Sequence, residues 1–265
     1  MSIEIYKSVD YMKETYIEAA DKHSVRNVLV DAGSDNLVIL AHGITSEKNE
    51  DGIYTRFAEN ILFPDFDSIR FDFRGHGDSQ RSPIEMRVSG EILDLMAVIA
   101  WAKQHYKRIH LVATSFGASI TLLSSSIFDF NFLLSVTMWN PVISYRNTFI
   151  NSTVSWGKEF FNQSSIEELA YRPYTKISES EFFIGSELTI EFLLLHPEKV
   201  VWPEKIPLLI IHGTGDTVVP YKDTVSFSKQ NKNVLLHTIP KVDHGFDEKI
   251  EEVYEVTKKW INKFC

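Results

Sequence analysis

A serine, an aspartate and a histidine each follow an apolar segment of this 265-residue chain, in an order that suits nucleophilic catalysis. Ser115 follows "RIHLVAT", Asp216 follows "PLLIIH" after a short loop, and His244 follows "VLLHTI" after another. A serine hydroxyl is barely acidic and needs a base, and a histidine base needs a carboxylate that orients it. The sequence therefore predicts acyl transfer, with Ser115 as nucleophile, His244 as base and Asp216 as the acid of a triad.

The residues around Ser115 suit a sharp turn from a strand into a helix. In "LVATSFGAS", Ala113 precedes the serine and Gly117 and Ala118 follow it, and a nucleophile on such a turn needs small neighbours. The turn would present the hydroxyl at the carboxyl edge of a sheet, where ligands of open α/β sheets bind. A plain strand-to-helix turn has the same local pattern, so the serine alone does not decide the function.

Two backbone N–H groups are candidates for an oxyanion hole, which stabilises the negative charge that develops on a carbonyl oxygen. One is the N–H of Phe116 at the helix start, and the other is the N–H of Ile44, where Gly43 lets the chain turn. One such donor contributes about 3–4 kcal/mol to catalysis. We expect His42 to support this loop through hydrogen bonds rather than to act as a base.

Two other aspartates compete with Asp216 for the role of the acid. Asp243 directly precedes His244, but neighbouring loop residues seldom point at each other, and Asp247 is a weaker candidate. A purely structural interpretation also exists, in which Asp216 is a turn residue of "GTGDT" and His244 belongs to a loop before a helix.

Apolar segments alternate with segments of helical periodicity along most of the chain. The apolar segments have the length and composition of buried strands in a parallel sheet. They lie at residues 36–42, 68–73, 108–114, 133–139, 207–212 and 234–239. Helical patterns cover 88–106 and the last part of the chain, from residue 250, and weaker strand patterns precede residue 36. This alternation predicts an α/β fold with a mostly parallel central sheet flanked by helices.

Residues 142–204 interrupt the alternation. They show no clear strand and are rich in aromatic side chains, and a structureless loop of this length is uncommon in a compact domain. The sequence predicts a helical cap or lid over 142–204, inserted into a core domain formed by residues 1–141 and 205–265. A packed helical segment without a role in substrate binding is the plain alternative.

Composition and charge exclude several functional classes. The formal net charge of −9 disfavours nucleic acid as a partner, because an acidic surface repels phosphate. No apolar run reaches the roughly 20 residues that span a bilayer, and the first residues lack a secretory pattern, so we expect a cytoplasmic protein without an integral membrane segment. The single cysteine, Cys265, allows no disulfide within the chain. The histidines show no metal-ligand spacing, and we expect neither metal nor organic cofactor.

Five motifs stand in the order and spacing of the α/β-hydrolase superfamily: "LAHGITS", "SIRFDFRGHGDSQ", "LVATSFGAS", "IIHGTGDTVVP" and "VDHGF". The chain most resembles the small serine esterases of that superfamily, which include feruloyl or cinnamoyl esterases and monoacylglycerol-lipase-like enzymes. The resemblance implies the triad Ser115, Asp216 and His244 with oxyanion donors at Ile44 and Phe116. It also implies that loop 74–78 supports the nucleophile region. One departure is an alanine two residues before the serine, where the family usually has glycine.

A second resemblance concerns "DFNFLLSVTMWNPVISYRNTF" and "FFIGSELTIEF". These stretches look like parts of the bacterial bioluminescence acyltransferases, which are acyl-carrier-protein thioesterases, and they imply a long acyl chain under the cap. We predict a serine hydrolase that cleaves a small-molecule carboxylic ester, with an apolar acyl group or an aromatic acid, through an acyl-enzyme. A thioesterase or acyltransferase acting on a fatty acyl carrier, and a catalytically silent binding protein, are the alternatives.

Two further reactions differ in the residues they need. An amide substrate with a free amine would need a carboxylate in the cap. The candidates are Glu159, Glu167, Glu168, Glu179, Glu181, Glu187 and Glu191. Dehalogenases and epoxide hydrolases carry aspartate at the position of Ser115, so their chemistry is disfavoured. The oligomeric state has no signal in the sequence.

Overall fold

An eight-stranded sheet lies at the centre of the structure, a computed structural model that describes residues 11–169, 171–178 and 182–265. The strands of the described residues are β1 (Met12–Glu18), β2 (Ser24–Val30), β3 (Asn36–Ala41), β4 (Asp67–Phe71), β5 (Arg108–Thr114), β6 (Leu133–Trp139), β7 (Tyr174–Lys176), β8 (Phe183–Gly185), β9 (Leu208–Gly213) and β10 (Val234–Ile239). All of them except β7 and β8 belong to the central sheet.

The strand order in the central sheet is β1-β2-β4-β3-β5-β6-β9-β10. β2 pairs antiparallel with β1 and with β4, whereas every pair from β4 to β10 is parallel. Along β3, Leu37 and Ile39 face one core cluster and Val38 and Leu40 face the other. This burial on both faces explains the continuous apolar segments of the sequence. The predicted α/β fold with a mostly parallel central sheet is confirmed.

Helices cover both faces of the sheet. They are α1 (Ile53–Arg56), α2 (Val88–His105), α3 (Ser115–Ile127), α4 (Ser155–Phe160), α5 (Gln163–Glu168), α6 (Ser186–Leu194), α7 (Tyr221–Gln230) and α8 (Ile250–Ile261). Short 3-10 or π turns lie at Phe57–Leu62, Pro83–Glu85, Arg146–Ile150, Pro197–Lys199, Asp247–Lys249 and Asn262–Phe264. α2 and α3 pack into the larger core cluster, and α8 packs into the other. Within the described ranges, no helix is both long and apolar enough to cross a membrane.

The segment between β6 and β9 contains α4, α5 and α6 together with the antiparallel pair β7–β8. The sequence pattern does not predict these two strands, because runs of three residues are too short to show a period. Aromatic side chains of this segment pack mostly on one another and on the start of α3. The rings of Phe149 and Phe192 stack at 4.3 Å, and both lie within about 6 Å of the Phe116 ring. The division into a core domain and a cap stays a prediction.

Gly117 lets the first turn of α3 approach the end of β3. A Cβ atom at this position would lie 2.7 Å from the carbonyl oxygen of Ala41 and would also press against the carbonyl oxygen of His42. Only glycine avoids these contacts, so this residue brings the start of the helix next to the loop that follows β3.

The close contact between Gly117 and the carbonyl oxygens at the end of β3 predicts that a larger residue at this position lowers stability. We expect Gly117→Ala to lower the free energy of unfolding by roughly 1–3 kcal/mol, because the added methyl group has no space. Gly245→Ala is the matched control, since its Cβ would meet only a carboxylate oxygen of Asp247 at 3.6 Å. Urea denaturation measures both variants. Equal unfolding free energies for the two would contradict the close approach.

Candidate active site

Ser115 lies at the junction of β5 and α3, with a strained backbone. Its φ of 49° is in the left-handed region, which costs a residue with a Cβ atom on the order of 1–3 kcal/mol. Neighbouring groups hold this conformation: the Val142 N–H donates to the Ser115 carbonyl oxygen at 3.0 Å. A Cβ atom on Gly43 would lie 3.3 Å from the Ser115 Cβ, so glycine leaves space for the serine. The turn presents the hydroxyl at the carboxyl edge of the sheet.

The structure brings Ser115, His244 and Asp216 together in a chain of hydrogen bonds. His244 Nε2 lies 3.1 Å from Ser115 Oγ, and His244 Nδ1 lies 2.8 Å from Asp216 Oδ2. Because an ionised carboxylate can only accept, Nδ1 carries the proton of the neutral ring. Nε2 is then the acceptor for the Ser115 hydroxyl. These are the three residues that the sequence predicts as a triad.

Four donors surround the Asp216 carboxylate, which is buried. Oδ1 accepts from the N–H groups of Val218 and Val219 at 2.9 and 2.7 Å, and Oδ2 lies 3.1 Å from His212 Nε2 as well as near His244. Burial acts to raise the pKa of Asp216, but the attraction of His244 and the hydrogen bonds from both histidines hold that pKa well below its usual range. Asp216 is therefore ionised at neutral pH.

The same pairing makes His244 a stronger base. Burial acts to lower the pKa of His244, but the charge of Asp216 and its hydrogen bond outweigh burial, so the pKa lies above its ordinary value. Glu50 and Asp243 add smaller contributions in the same direction. A raised pKa suits a group that must take a proton from a hydroxyl.

The two rival aspartates do not contact the His244 ring. Asp243 Oδ1 accepts from the N–H and the hydroxyl of Thr217 at 2.8 and 2.9 Å, and from the backbone N–H of His244 at 2.7 Å. Asp247 is exposed. Of the three candidate acids, only Asp216 reaches the imidazole.

The loop after β3 carries the first candidate oxyanion donor beside Ser115. Among the described residues, the Ile44 N–H has no acceptor, and the Phe116 N–H belongs to the first turn of α3, whose N–H groups have no partner within the helix. His42 holds the loop, since its Nδ1 lies 2.8 Å from the Gly43 carbonyl oxygen and its Nε2 accepts from the Phe73 N–H at 3.0 Å. Both donors therefore remain available to a substrate oxygen.

Loop 74–78 contacts the loop after β3, which carries Ile44. His76 Nε2 lies 2.6 Å from the Ile44 carbonyl oxygen. Lys48 Nζ pairs with Asp72 at 3.0 Å and with Asp78 at 2.7 Å, and the Lys48 N–H also donates to Asp72. The sequence does not predict these ion pairs, because their members are 24 or 30 positions apart in loops without periodicity.

Two further residues of the site have no clear signal in the sequence. Glu50 Oε2 accepts from the Gly43 N–H at 2.7 Å. Burial raises the pKa of Glu50 to about 7, although this hydrogen bond acts to lower it. Asn140 is fully buried, donates from Nδ2 to the His244 carbonyl oxygen and accepts from the Gly213 N–H at 3.0 Å. Asn140 thus connects β6 and β9 with the loop that carries His244.

A cavity of about 210 Å³ opens beside Ser115 and His244. Its apolar lining comes from Ile44, Ile53, Trp139, Val142, Phe149, Trp156, Val218, Val219 and Phe246. Glu50 and Asp51 are the carboxylates in the lining, and no described cap glutamate is among them. Glu179 and Glu181 lie outside the described residues.

Two family models match this sequence. The model for the α/β hydrolase fold matches residues 36–138, and the model for the prolyl oligopeptidase family matches residues 94–264, more than half of the chain. The chain belongs to the prolyl oligopeptidase family of α/β hydrolases. The predicted membership of the α/β-hydrolase superfamily is thus confirmed, and the protein is a hydrolase. No curated protein matches the sequence of this hydrolase.

Several solved structures share the fold of this hydrolase. Est1E from Butyrivibrio proteoclasticus, solved with ferulic acid bound, has a TM-score of 0.79 at 22% identity, over 94% of this chain and 98% of Est1E. The esterase Pf2001 of Pyrococcus furiosus has a TM-score of 0.71 at 21% identity, over 100% and 96% of the two chains. The α/β hydrolase GrgF from Penicillium sp. sh18 has a TM-score of 0.79 at 15% identity, over 96% and 98%.

The partly buried Glu50 carboxyl, which lines the cavity, predicts how stability depends on pH. In the unfolded chain Glu50 ionises near its ordinary pKa of 4.5, whereas the folded protein keeps the proton to about pH 7. Because the folded state binds more protons in this window, wild-type stability falls as pH rises through it. Glu50→Gln keeps an acceptor for the Gly43 N–H and removes the charge. Relative to wild type, the variant should gain roughly 1–3 kcal/mol between about pH 4.5 and pH 8.

Urea denaturation of wild type and Glu50→Gln at both pH values measures this gain. Glu248→Gln is the control, because Glu248 is exposed and away from the cavity lining. A difference in unfolding free energy between wild type and Glu50→Gln that stays constant from the lower to the higher pH would contradict a raised pKa of Glu50 in the folded protein.

Proposed function

We propose that this hydrolase is a serine esterase in which Ser115 is the nucleophile, His244 the general base and Asp216 the acid that orients the base. The continuous chain of hydrogen bonds from Asp216 Oδ2 through His244 to Ser115 Oγ, at 2.8 and 3.1 Å, supports this assignment most directly. Both distances allow direct proton transfer between the groups. A catalytically silent binding protein would not need these three side chains within hydrogen-bond distance of one another.

The reaction follows from this arrangement in two halves. Ser115 Oγ bonds to the substrate carbonyl carbon while its proton moves to His244 Nε2, and the charge on the carbonyl oxygen is stabilised by the N–H groups of Ile44 and Phe116. His244 then gives the proton to the leaving alcohol, which leaves an acyl group on Ser115. Water attacks this acyl-enzyme with His244 again as base, and the acid product departs.

The cavity favours a compact apolar acyl group. Its volume of about 210 Å³ is below the roughly 300–1,000 Å³ of most pockets for drug-sized ligands. Of the aromatic residues described in the 142–204 segment, Phe149 and Trp156 line the cavity. A short aliphatic acid or a single-ring aromatic acid suits this space, and the ferulic acid bound to Est1E is consistent with the second choice. A long fatty acyl chain, as in the thioesterase alternative, has no support from this volume.

Amide hydrolysis is the second candidate, because the longer family match is to the prolyl oligopeptidase family. A substrate with a free amine would need an anionic group in the cavity, and Glu50 and Asp51 are the carboxylates there. A matched ester and anilide of the same acid separate the two reactions. We expect the p-nitrophenyl ester to be cleaved and the p-nitroanilide to be cleaved far more slowly.

The identity of the acid can be tested with two isosteric variants. Asp216→Asn should lower kcat by about 10⁴-fold, because it removes the carboxylate that fixes the tautomer of His244. Asp243→Asn is the matched control and should lower kcat less than tenfold, since this carboxylate contacts Thr217 rather than the ring. Steady-state kinetics on a p-nitrophenyl ester measure both. A larger loss in the Asp243 variant would transfer the role of the acid to Asp243.

A panel of acyl groups tests the substrate class. On p-nitrophenyl esters and matching thioesters of increasing chain length, we expect kcat/KM to peak among short esters and to fall steeply for long chains, because the cavity is small. Ser115→Ala is the blank and should lack turnover while its thermal midpoint stays close to wild type. A peak at long-chain thioesters would favour the acyl-carrier alternative, and activity in the blank would place the nucleophile elsewhere.

A further inference from the structure

A second histidine contacts the carboxylate that holds His244. His212 lies in β9 with no exposed surface, and its Nε2 is 3.1 Å from Asp216 Oδ2. The same oxygen lies 2.8 Å from His244 Nδ1. One carboxylate oxygen therefore serves two imidazole rings, one facing the nucleophile and one facing the protein interior.

The protonation of His212 follows from its partners. Because the ionised carboxylate can only accept, Nε2 must carry a proton, and in a neutral ring Nδ1 is then an acceptor. Nδ1 lies 2.7 Å from the hydroxyl of Thr224, which is fully buried on α7. The Thr224 hydroxyl can donate to Nδ1 of that ring, which supports the tautomer in which His212 donates to Asp216.

The other contacts of this cluster leave Asp216 and His212 little freedom. The second carboxylate oxygen, Oδ1, accepts from two backbone N–H groups, so hydrogen bonds hold both oxygen atoms of the carboxylate. The Tyr221 ring packs edge-on against the His212 ring, with centroids 5.4 Å apart at 84°. Asp223 on α7 also interacts electrostatically with His212.

We propose that His212 and Thr224 form a positioning pair that sets how strongly Asp216 holds the proton of His244. This role rests on the proposed function, since it acts through the base of that reaction. The N–H of His212 draws on the same oxygen lone pairs as His244 and disperses their negative charge. Without it, the whole charge of Oδ2 would face His244, and the imidazolium form would become more stable.

The loss of the His212 donor therefore predicts a directed change in pH dependence. In His212→Phe the pKa of His244 should rise by about one unit, because the Asp216 oxygen that His212 no longer shares stabilises the imidazolium more strongly. Thr224→Val removes only the hydroxyl that supports this tautomer, and its shift should have the same sign and be smaller. His212→Gln retains an N–H donor and should stay closest to wild type. Glu50 and Asp243 also act on His244 and are unchanged in all three variants.

Two measurements on the full chain test the pair. One is the acid limb of the pH profile of kcat/KM for a p-nitrophenyl ester, which should move to higher pH in His212→Phe and Thr224→Val. The other is an NMR titration of His244 in protein labelled at histidine with ¹³C, which needs no turnover. An inactive wild type with a raised His244 pKa in the variants would overturn the proposed function and leave the pair supported.

A merely structural role of His212 would give a different result. It would lower stability or kcat without moving the His244 titration in the upward direction. An unchanged or lowered pKa of His244 in folded Thr224→Val would overturn the inference. This variant decides the test even if His212→Phe does not fold. The same conclusion would follow if His212→Gln shifted the titration as much as His212→Phe.

Discussion

The hydrogen bond between Asp216 and His244 joins two loops that leave the carboxyl ends of the neighbouring parallel strands β9 and β10. A buried carboxylate is costly unless donors surround it, and Asp216 meets this requirement with two backbone N–H groups and two imidazoles. The loop that bears Asp216 and the loop that bears His244 are therefore held by the same charge. The position of His244 against Ser115, and hence any proton transfer between them, depends on that charge.

Ser115 depends on a second constraint, the strained turn at the end of β5. The left-handed conformation of the serine persists because the groups around it are fixed and small. Gly43 and Gly117 leave room for the Ser115 side chain and for the first turn of α3. His42, His76 and Lys48 hold the loop after β3 through the carbonyl oxygens of Gly43 and Ile44 and through the buried carboxylate of Asp72. These contacts hold the loop after β3 beside Ser115, and stabilisation of an oxyanion would require such fixed donors.

The sequence predicts the features that local patterns encode. The strands β3 to β6 and β9 appear as apolar runs because both faces of a parallel sheet are buried, and β10 appears as an apolar run although it is a half-exposed edge strand. Ser115, Asp216 and His244 stand out because each follows such a run. His212 lies inside one of these runs and has the pattern of a core residue. Its partner Thr224 lies 12 positions away on a helix, and only the packing of α7 on β9 brings the two side chains together. Glu50 lies in a loop without a sequence pattern that would mark it. The size of the cavity depends on how the aromatic residues of the 142–204 segment pack, and their positions follow no helical or strand periodicity.

Covalent trapping of the nucleophile tests the central claim most directly. The folded protein is treated with a fluorophosphonate probe, and the modified residue is located by peptide mass spectrometry. The account predicts a single adduct, on Ser115, formed quickly in wild type and much more slowly in His244→Ala, because the hydroxyl then lacks its base. An unmodified Ser115, or an adduct on another residue at the same rate, would contradict it.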